Sequence, residues 1–213
     1  MKSFNLAALA LAALLCAPLS ARAALLIPGS ILLPAVAELD PVGASLIATT
    51  TLPFAAPGAF SGTLTSSVYS GDTSNALGGL TFTYVLRNDA ASPNNIARLS
   101  TTNFTGFATD ASYQVPTVGV VPAMIDRNLS GNAVGFNFFP SPVDPFTAFL
   151  LPGATSSLLV IQTNAPFYVP TTDFIIDGGI ASVGSFGPSL VPEPTTLGLA
   201  AIGLLALAAT RRR

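Results

Sequence analysis

The 213-residue sequence is 50% hydrophobic and only 8% charged, with a formal net charge of −2, no histidine, no tryptophan and one cysteine. Without histidine, the Ser-His-Asp and Cys-His nucleophile arrangements and His-rich metal sites are excluded. Between residues 24 and 191 nine acids (Glu38, Asp40, Asp72, Asp89, Asp110, Asp126, Asp144, Asp173 and Asp177) stand against three arginines (Arg87, Arg98 and Arg127), and nine minus three leaves −6. Nucleic acid is therefore not an expected partner, because affinity for it rests on clustered Lys and Arg.

The N-terminus has one basic residue, Lys2, an apolar run over 6–17, and the small-residue site Ala21-Arg22-Ala23. That order predicts a secretory signal peptide over residues 1–23, with cleavage between Ala23 and Ala24. Cys16 is preceded by Leu15, where a lipoprotein site needs a small side chain, so lipidation is not expected. The exported body then has no cysteine and no disulfide. Its roughly 170 residues are enough to bury a core without such staples.

Low charge combined with abundant Ser, Thr, Gly and aliphatic residues is not a disordered composition, and it predicts an all-β body over 24–190 with its core at about 45–188. Residues 24–57 are apolar but interrupted by Pro28, Pro34, Pro41, Pro53 and Pro57, which reads as irregular extended chain leading into an edge strand near 45–51. Strands follow at 62–69 and 80–86. In the second, Phe82, Tyr84 and Leu86 alternate with Thr81, Thr83 and Val85, one face buried and the other partly polar. Further strands are predicted at 98–102, 103–107, 113–121, 133–139, 155–163, 167–169, 174–176 and 180–186. Pro116 marks 113–121 as an edge, and Asp177-Gly178-Gly179 joins the last two strands as a hairpin. Eight to ten strands suit a single β-sandwich, immunoglobulin-like or jelly-roll-like.

The last 23 residues, 191–213, read VPEPTTLGLAAIGLLALAATRRR. Val191, Pro192, Glu193 and Pro194 precede an apolar run and three arginines, Arg211, Arg212 and Arg213. As a helix, 195–210 would span about 24 Å against a hydrocarbon core of roughly 30 Å. It is a marginal transmembrane segment, and the arginines hold its end on the cytoplasmic side. The two prolines keep Val191 and Glu193 extended and stop the helix from growing upstream.

This arrangement resembles the PEP-CTERM sorting signal of bacterial exported proteins. The resemblance implies a sorting protease of the exosortase class as partner, a transient membrane anchor, and delivery from the inner membrane to the cell surface or extracellular matrix, where exopolysaccharide accompanies the system. Body segments such as SGTLTSSVY, IARLSTTNF and IIDGGIASVGSF also look like those of other exported proteins with this signal.

No catalytic residue, metal site or cofactor is expected. Asp173 and Asp177 lie close in sequence and could serve acid/base work as paired carboxylates do in glycoside hydrolases, but Asp177 before two glycines reads as a turn residue. Asp72-Thr73-Ser74 lacks the glycine of an aspartic-protease motif. A calcium ion held by loop carboxylates is left open. A sugar platform would have to use Tyr69, Tyr84, Tyr113 or Tyr168, since Phe82, Phe136 and Phe174 read as core. Asn103-Phe104-Thr105 and Asn128-Leu129-Ser130 match the N-glycosylation pattern without a bacterial use for it. The expected function is a non-enzymatic surface or matrix protein; the alternative is a periplasmic-side hydrolase or glycan-binding module using Asp carboxylates.

Overall fold

A computed structural model describes residues 25–116, 118–142 and 147–192. These form two six-stranded sheets sharing one core, a sandwich-like all-β arrangement with no helix among the described residues. The strands are β1 Ile31–Leu32, β2 Ala37–Glu38, β3 Ser45–Ala56, β4 Phe60–Ser70, β5 Thr81–Asn88, β6 Arg98–Thr101, β7 Thr109–Gln114, β8 Met124–Arg127, β9 Val134–Asn137, β10 Leu159–Thr163, β11 Phe167–Ile176 and β12 Ile180–Ser189. One sheet runs β2-β7-β10-β5-β4-β3 and the other β1-β8-β9-β6-β11-β12. Every pairing is antiparallel except β2 with β7. The predicted signal peptide at 1–23 and the predicted helix at 195–210 lie outside the described residues.

The alternation in β5 does what its pattern predicts on one face: Phe82, Tyr84 and Leu86 are fully buried between the sheets. Leu64 and Val68 of β4, Leu159 and Ile161 of β10, Leu99 of β6, Ile125 of β8, Phe136 of β9 and Ile175 of β11 join the same core. Phe82 meets Phe104 edge to face, and the Tyr84 hydroxyl donates to the Phe186 carbonyl at 2.9 Å, tying the two sheets together. On the other face of β5, Thr81 and Thr83 are also buried. The Thr81 hydroxyl donates to Asp72 Oδ2 at 2.7 Å.

Four local readings are corrected. Segments 167–169 and 174–176 are one strand, β11, running through Pro170. It tolerates the proline because β6 pairs only with Phe174, Ile175 and Ile176, so at Pro170 the strand has a partner on one side alone. Residues 103–107 are not a strand: Asn103 and Gly106 have φ of 78° and 83°, which turns the chain. The strand expected at 113–121 ends before Pro116, at Gln114, and lies one place in from the sheet edge beside β2. The fold also begins earlier than 45, since Leu26 is fully buried and β1 and β2 belong to the two sheets.

Strand registers place both ends of the described chain at one end of the sandwich. Leu26 donates its amide to Thr109 at the start of β7, while Arg127 Nη1 at the end of β8 reaches the Leu26 carbonyl. β12 runs toward the same end, where Asn103 Nδ2 donates to the Pro188 carbonyl at 2.8 Å. The β11–β12 turn at 177–179 lies at the opposite end, with Gly179 against Ala56 and Ala59.

Candidate functional site

β12 is the edge strand of its sheet and finishes at Ser189, paired with Phe167. The Ser189 Oγ accepts from the Val191 amide at 3.0 Å and donates to the Val191 carbonyl at 2.9 Å, a local turn that takes the backbone off the sheet. Leu190 and Val191 are 74% and 68% exposed. Of the sequence-predicted sorting residues, Val191 and Pro192 are therefore seen on exposed backbone that is off the sheet; Glu193, Pro194, Arg211, Arg212 and Arg213 lie outside the described residues, as do Ala21, Ala23 and Ala24 at the predicted cleavage site.

Sequence reasoning missed the side chain that organises this end. Arg127 is 4% exposed, and its guanidinium donates to four backbone carbonyls: Nε to Gly131 at 3.0 Å, Nη1 to Leu26 at 2.9 Å, and Nη2 to Phe104 and Phe107 at 2.7 and 3.0 Å. Burial lowers its pKa from the ordinary arginine value. One cation thus fixes the N-terminal segment, the 102–108 loop and the 128–131 turn against each other.

A second group of titratable side chains lies where residues 37–42 cross the sheet. Glu38, Asp40 and Asp110 are 6%, 4% and 4% exposed. β2 sits beside β7 through Ala37 opposite Tyr113 and Glu38 opposite Gln114. Ser112 Oγ donates to Asp40 Oδ2 at 3.1 Å. Burial pushes the Glu38 carboxyl up to about 8, with repulsion from Asp40 and Asp110 adding to it. Asp110 is pushed to about 7 by burial and by Asp40. Asp40 is raised by burial, with hydrogen bonds from Glu38 and Ser112 opposing. Glu38 and Asp110 thus hold protons near neutral pH.

Asp72, at the rim of the same sheet, behaves oppositely. Burial disfavours its charge, yet donors from Ser74, Val42 and Thr81 hold its carboxylate below the usual range. Gln162 Nε2 adds a bond to Oδ2 at 3.1 Å. Asp72-Thr73-Ser74 is accordingly an anchoring turn.

The remaining sequence candidates fall into structural positions. Asp173 is fully buried near Tyr84, accepting from the Thr102 amide at 3.0 Å, and burial raises its pKa to about 7. Asp177 sits in the β11–β12 turn with its amide on the Gly179 carbonyl. Four residues of extended chain separate their Cα atoms by roughly 13 Å, beyond the spacing of a glycosidase carboxyl pair. Tyr84 is core; Tyr69, Tyr113 and Tyr168 are half-buried. Phe174, expected in the core with Phe82 and Phe136, is instead 38% exposed, because Ile175 and not Phe174 takes the inward register. Asn103 is held by Pro188, and Asn128 Oδ1 accepts from Ser130 and Ala133. No group of three acidic or cysteine side chains with metal-holding geometry occurs among the described residues.

On the outer face of the second sheet, Arg98 forms a two-pronged pair with Asp126, Nη1 to Oδ2 at 2.5 Å and Nη2 to Oδ1 at 2.8 Å, braced by Asn137. The guanidinium lies flat across Gly135, where a Cβ would stand 2.0 Å from Nη2. Gly135→Ala is expected to push Arg98 off Asp126 and cost about 1–2 kcal/mol of stability. Urea unfolding of Gly135→Ala beside Arg98→Ala checks this: the double variant should lose little more than Arg98→Ala alone.

No curated protein and no solved structure matches the chain. Among the described residues no helix is long and apolar enough to cross a membrane. Residues 190–213, which follow directly on the exposed end of β12, match the family model of the PEP-CTERM protein-sorting motif, and the chain is thus one that carries a PEP-CTERM sorting domain.

Proposed function

We propose that the chain is an exported, non-enzymatic surface or matrix protein: a signal peptide at 1–23 sends it across the inner membrane, a helix at 195–210 holds the precursor there, and a protease of the exosortase class acts on the motif Val191-Pro192-Glu193-Pro194. The carrying observation is the position of that motif. It starts two residues beyond the last strand, on backbone that has left the sheet and is exposed, where a protease can reach it. Leu26, buried three residues past the predicted cleavage site, supports a mature chain beginning at Ala24. The cell surface or an exopolysaccharide-containing matrix is the destination.

A hydrolase or glycan-binding module working through Asp carboxylates is the competing reading. The strongly shifted acids Glu38, Asp110 and Asp173 are closed off from solvent, which favours a structural role. A hydrolase would lose activity on a single Asp substitution, whereas a structural protein would show a phenotype only in adhesion, aggregation or matrix assembly.

The sorting reading is tested by Glu193→Ala and by the pair Pro192→Ala and Pro194→Ala. None of these alters the apolar run at 197–209, so a purely hydrophobic anchor would be indifferent to them. The expected result is an uncleaved, heavier, membrane-bound precursor on fractionation and immunoblotting. Equal release of wild type and Glu193→Ala would refute processing at this motif.

A further inference from the structure

Both ends of the described chain leave the sandwich at the same end, and that end has an unusual surface. Its segments 25–30, 42–45, 70–80, 102–110, 127–133, 163–168 and 187–192 contain only three charged side chains, Asp72, Asp110 and Arg127, each less than a tenth exposed. In contrast, Leu25, Ile27, Leu129, Leu190 and Val191 stand out from it, Leu129 at 89% exposure. The Leu129 side chain lies over Gly29, where a Cβ would be 2.9 Å from Cδ2, so the loop tip and the N-terminal segment present one apolar surface. At the opposite end are Asp89, bonded through its amide to Ser61, and Asp177 in the 177–179 turn.

Chain length settles what such a surface meets. From Ser189 to Thr195, where the apolar run opens, six residues reach at most about 22 Å. A precursor held by that run keeps this end of the sandwich against the bilayer, with no room for a second domain between them. Exposed aliphatics spread over an end without exposed charge suit the interfacial zone. Exposed acids there would be repelled by anionic lipid, and the described residues of this end include none.

We propose that the uncharged end of the sandwich is a lipid-facing surface, on which Leu25, Ile27, Leu129, Leu190 and Val191 rest in the interfacial layer of the bilayer while the precursor is tethered. This rests on the reading of 195–210 as a membrane segment. Docking holds the motif at a fixed shallow depth, within reach of a membrane-embedded protease, and is lost when the tail is removed.

The test is nitroxide depth measurement on the full chain in vesicles of phosphatidylethanolamine and phosphatidylglycerol. Cys16, the only cysteine, is replaced by serine, and single labels are placed through Leu129→Cys, Ala91→Cys at the opposite end, and Leu204→Cys inside the apolar run. Leu129 and Ala91 are exposed, so both labels are open to the relaxation agents unless lipid covers them. The expected result is that oxygen broadens the label more than a nickel chelate does at 129 and 204, and that the order reverses at 91. A label at 204 in lipid with 129 as aqueous as 91 would overturn the docking surface and leave the sorting reading intact. An aqueous label at 204 would overturn both. Dipolar broadening between labels at 129 on different molecules, with 129 shielded from oxygen and nickel alike, would overturn it in favour of self-association.

Discussion

Arg127→Ala is expected to cost about 3–5 kcal/mol of folding stability, a large share of the 5–15 kcal/mol typical of a domain. The guanidinium is buried and its four hydrogen bonds all end on backbone carbonyls, at Leu26, Phe104, Phe107 and Gly131. Alanine removes all four bonds in a place with little access to water; the Phe104 and Phe107 carbonyls keep weaker donors at 3.2 Å, the Phe107 amide and the Thr109 hydroxyl, and each hydrogen bond to a charged donor is worth about 1.5–3 kcal/mol before partial refilling by solvent. Arg127→Lys should recover only part of the loss, because an ammonium has three donors and no planar fork to span carbonyls on three separate segments. Arg87, exposed on β5, supplies the control, with Arg87→Ala changing stability by less than about 0.5 kcal/mol. Urea unfolding decides the matter through the midpoint at unchanged slope. A loss below about 1 kcal/mol for Arg127→Ala would show that the clamp is replaceable by water.

Local pattern made the inward face of β5, the edge strand β3 and the Asp177-Gly178-Gly179 hairpin readable, since each depends on side chains within a few residues. Strands β1 and β2 were not readable because two-residue strands have no periodicity: they exist through their partners, β1 through Asp126 and Ile125, β2 through Tyr113 and Gln114. β8 was hidden for a similar reason, with Asp126 and Arg127 breaking its apolar character while one pairs across the face and the other plugs the end of the core. The tail was legible because its information lies in linear order: motif, apolar run, arginines. The carboxyl group at Glu38, Asp40 and Asp110 was not, because it is assembled by a parallel pairing between segments about seventy residues apart in sequence. Glu38-Leu39-Asp40 followed by proline in an otherwise apolar stretch was the available signal.

Stability is expected to fall as pH rises from about 4 to about 8, the reverse of ordinary acid denaturation. Glu38, Asp110 and Asp173 titrate near 8, 7 and 7 in the folded protein against ordinary values of 4.5, 3.8 and 3.8, and Asp40 is also raised. Between the unfolded and folded values the native state binds more protons than the unfolded chain, so this contribution is complete below pH 4 and lost as pH passes through 7 and 8. Asp72 and Asp126 act in the opposite sense, since their lowered values favour the native state above pH 4 and are lost only in stronger acid. The groups facing Glu38 are Asp40 and Asp110, with Asp72 beyond Asp40. The one ion pair among the described residues, Arg98 with Asp126, is on the other sheet. Asp173 faces Tyr84, whose hydroxyl titrates well above 10 and stays neutral throughout. At 1.36 kcal/mol per unit, even partial relief of repulsion leaves an expected loss on the order of 4 kcal/mol between pH 4.5 and 8.5. Glu38→Gln keeps the shape and removes the charge. It should match wild type at pH 4.5 and exceed it at pH 8.5, flattening the profile, and Asp110→Asn should do the same. Urea midpoints across the range read this directly: a wild-type profile that is flat or rising from pH 5 to 8, or a Glu38→Gln variant less stable than wild type at pH 8.5, would rule out buried protonated carboxyls as the cause.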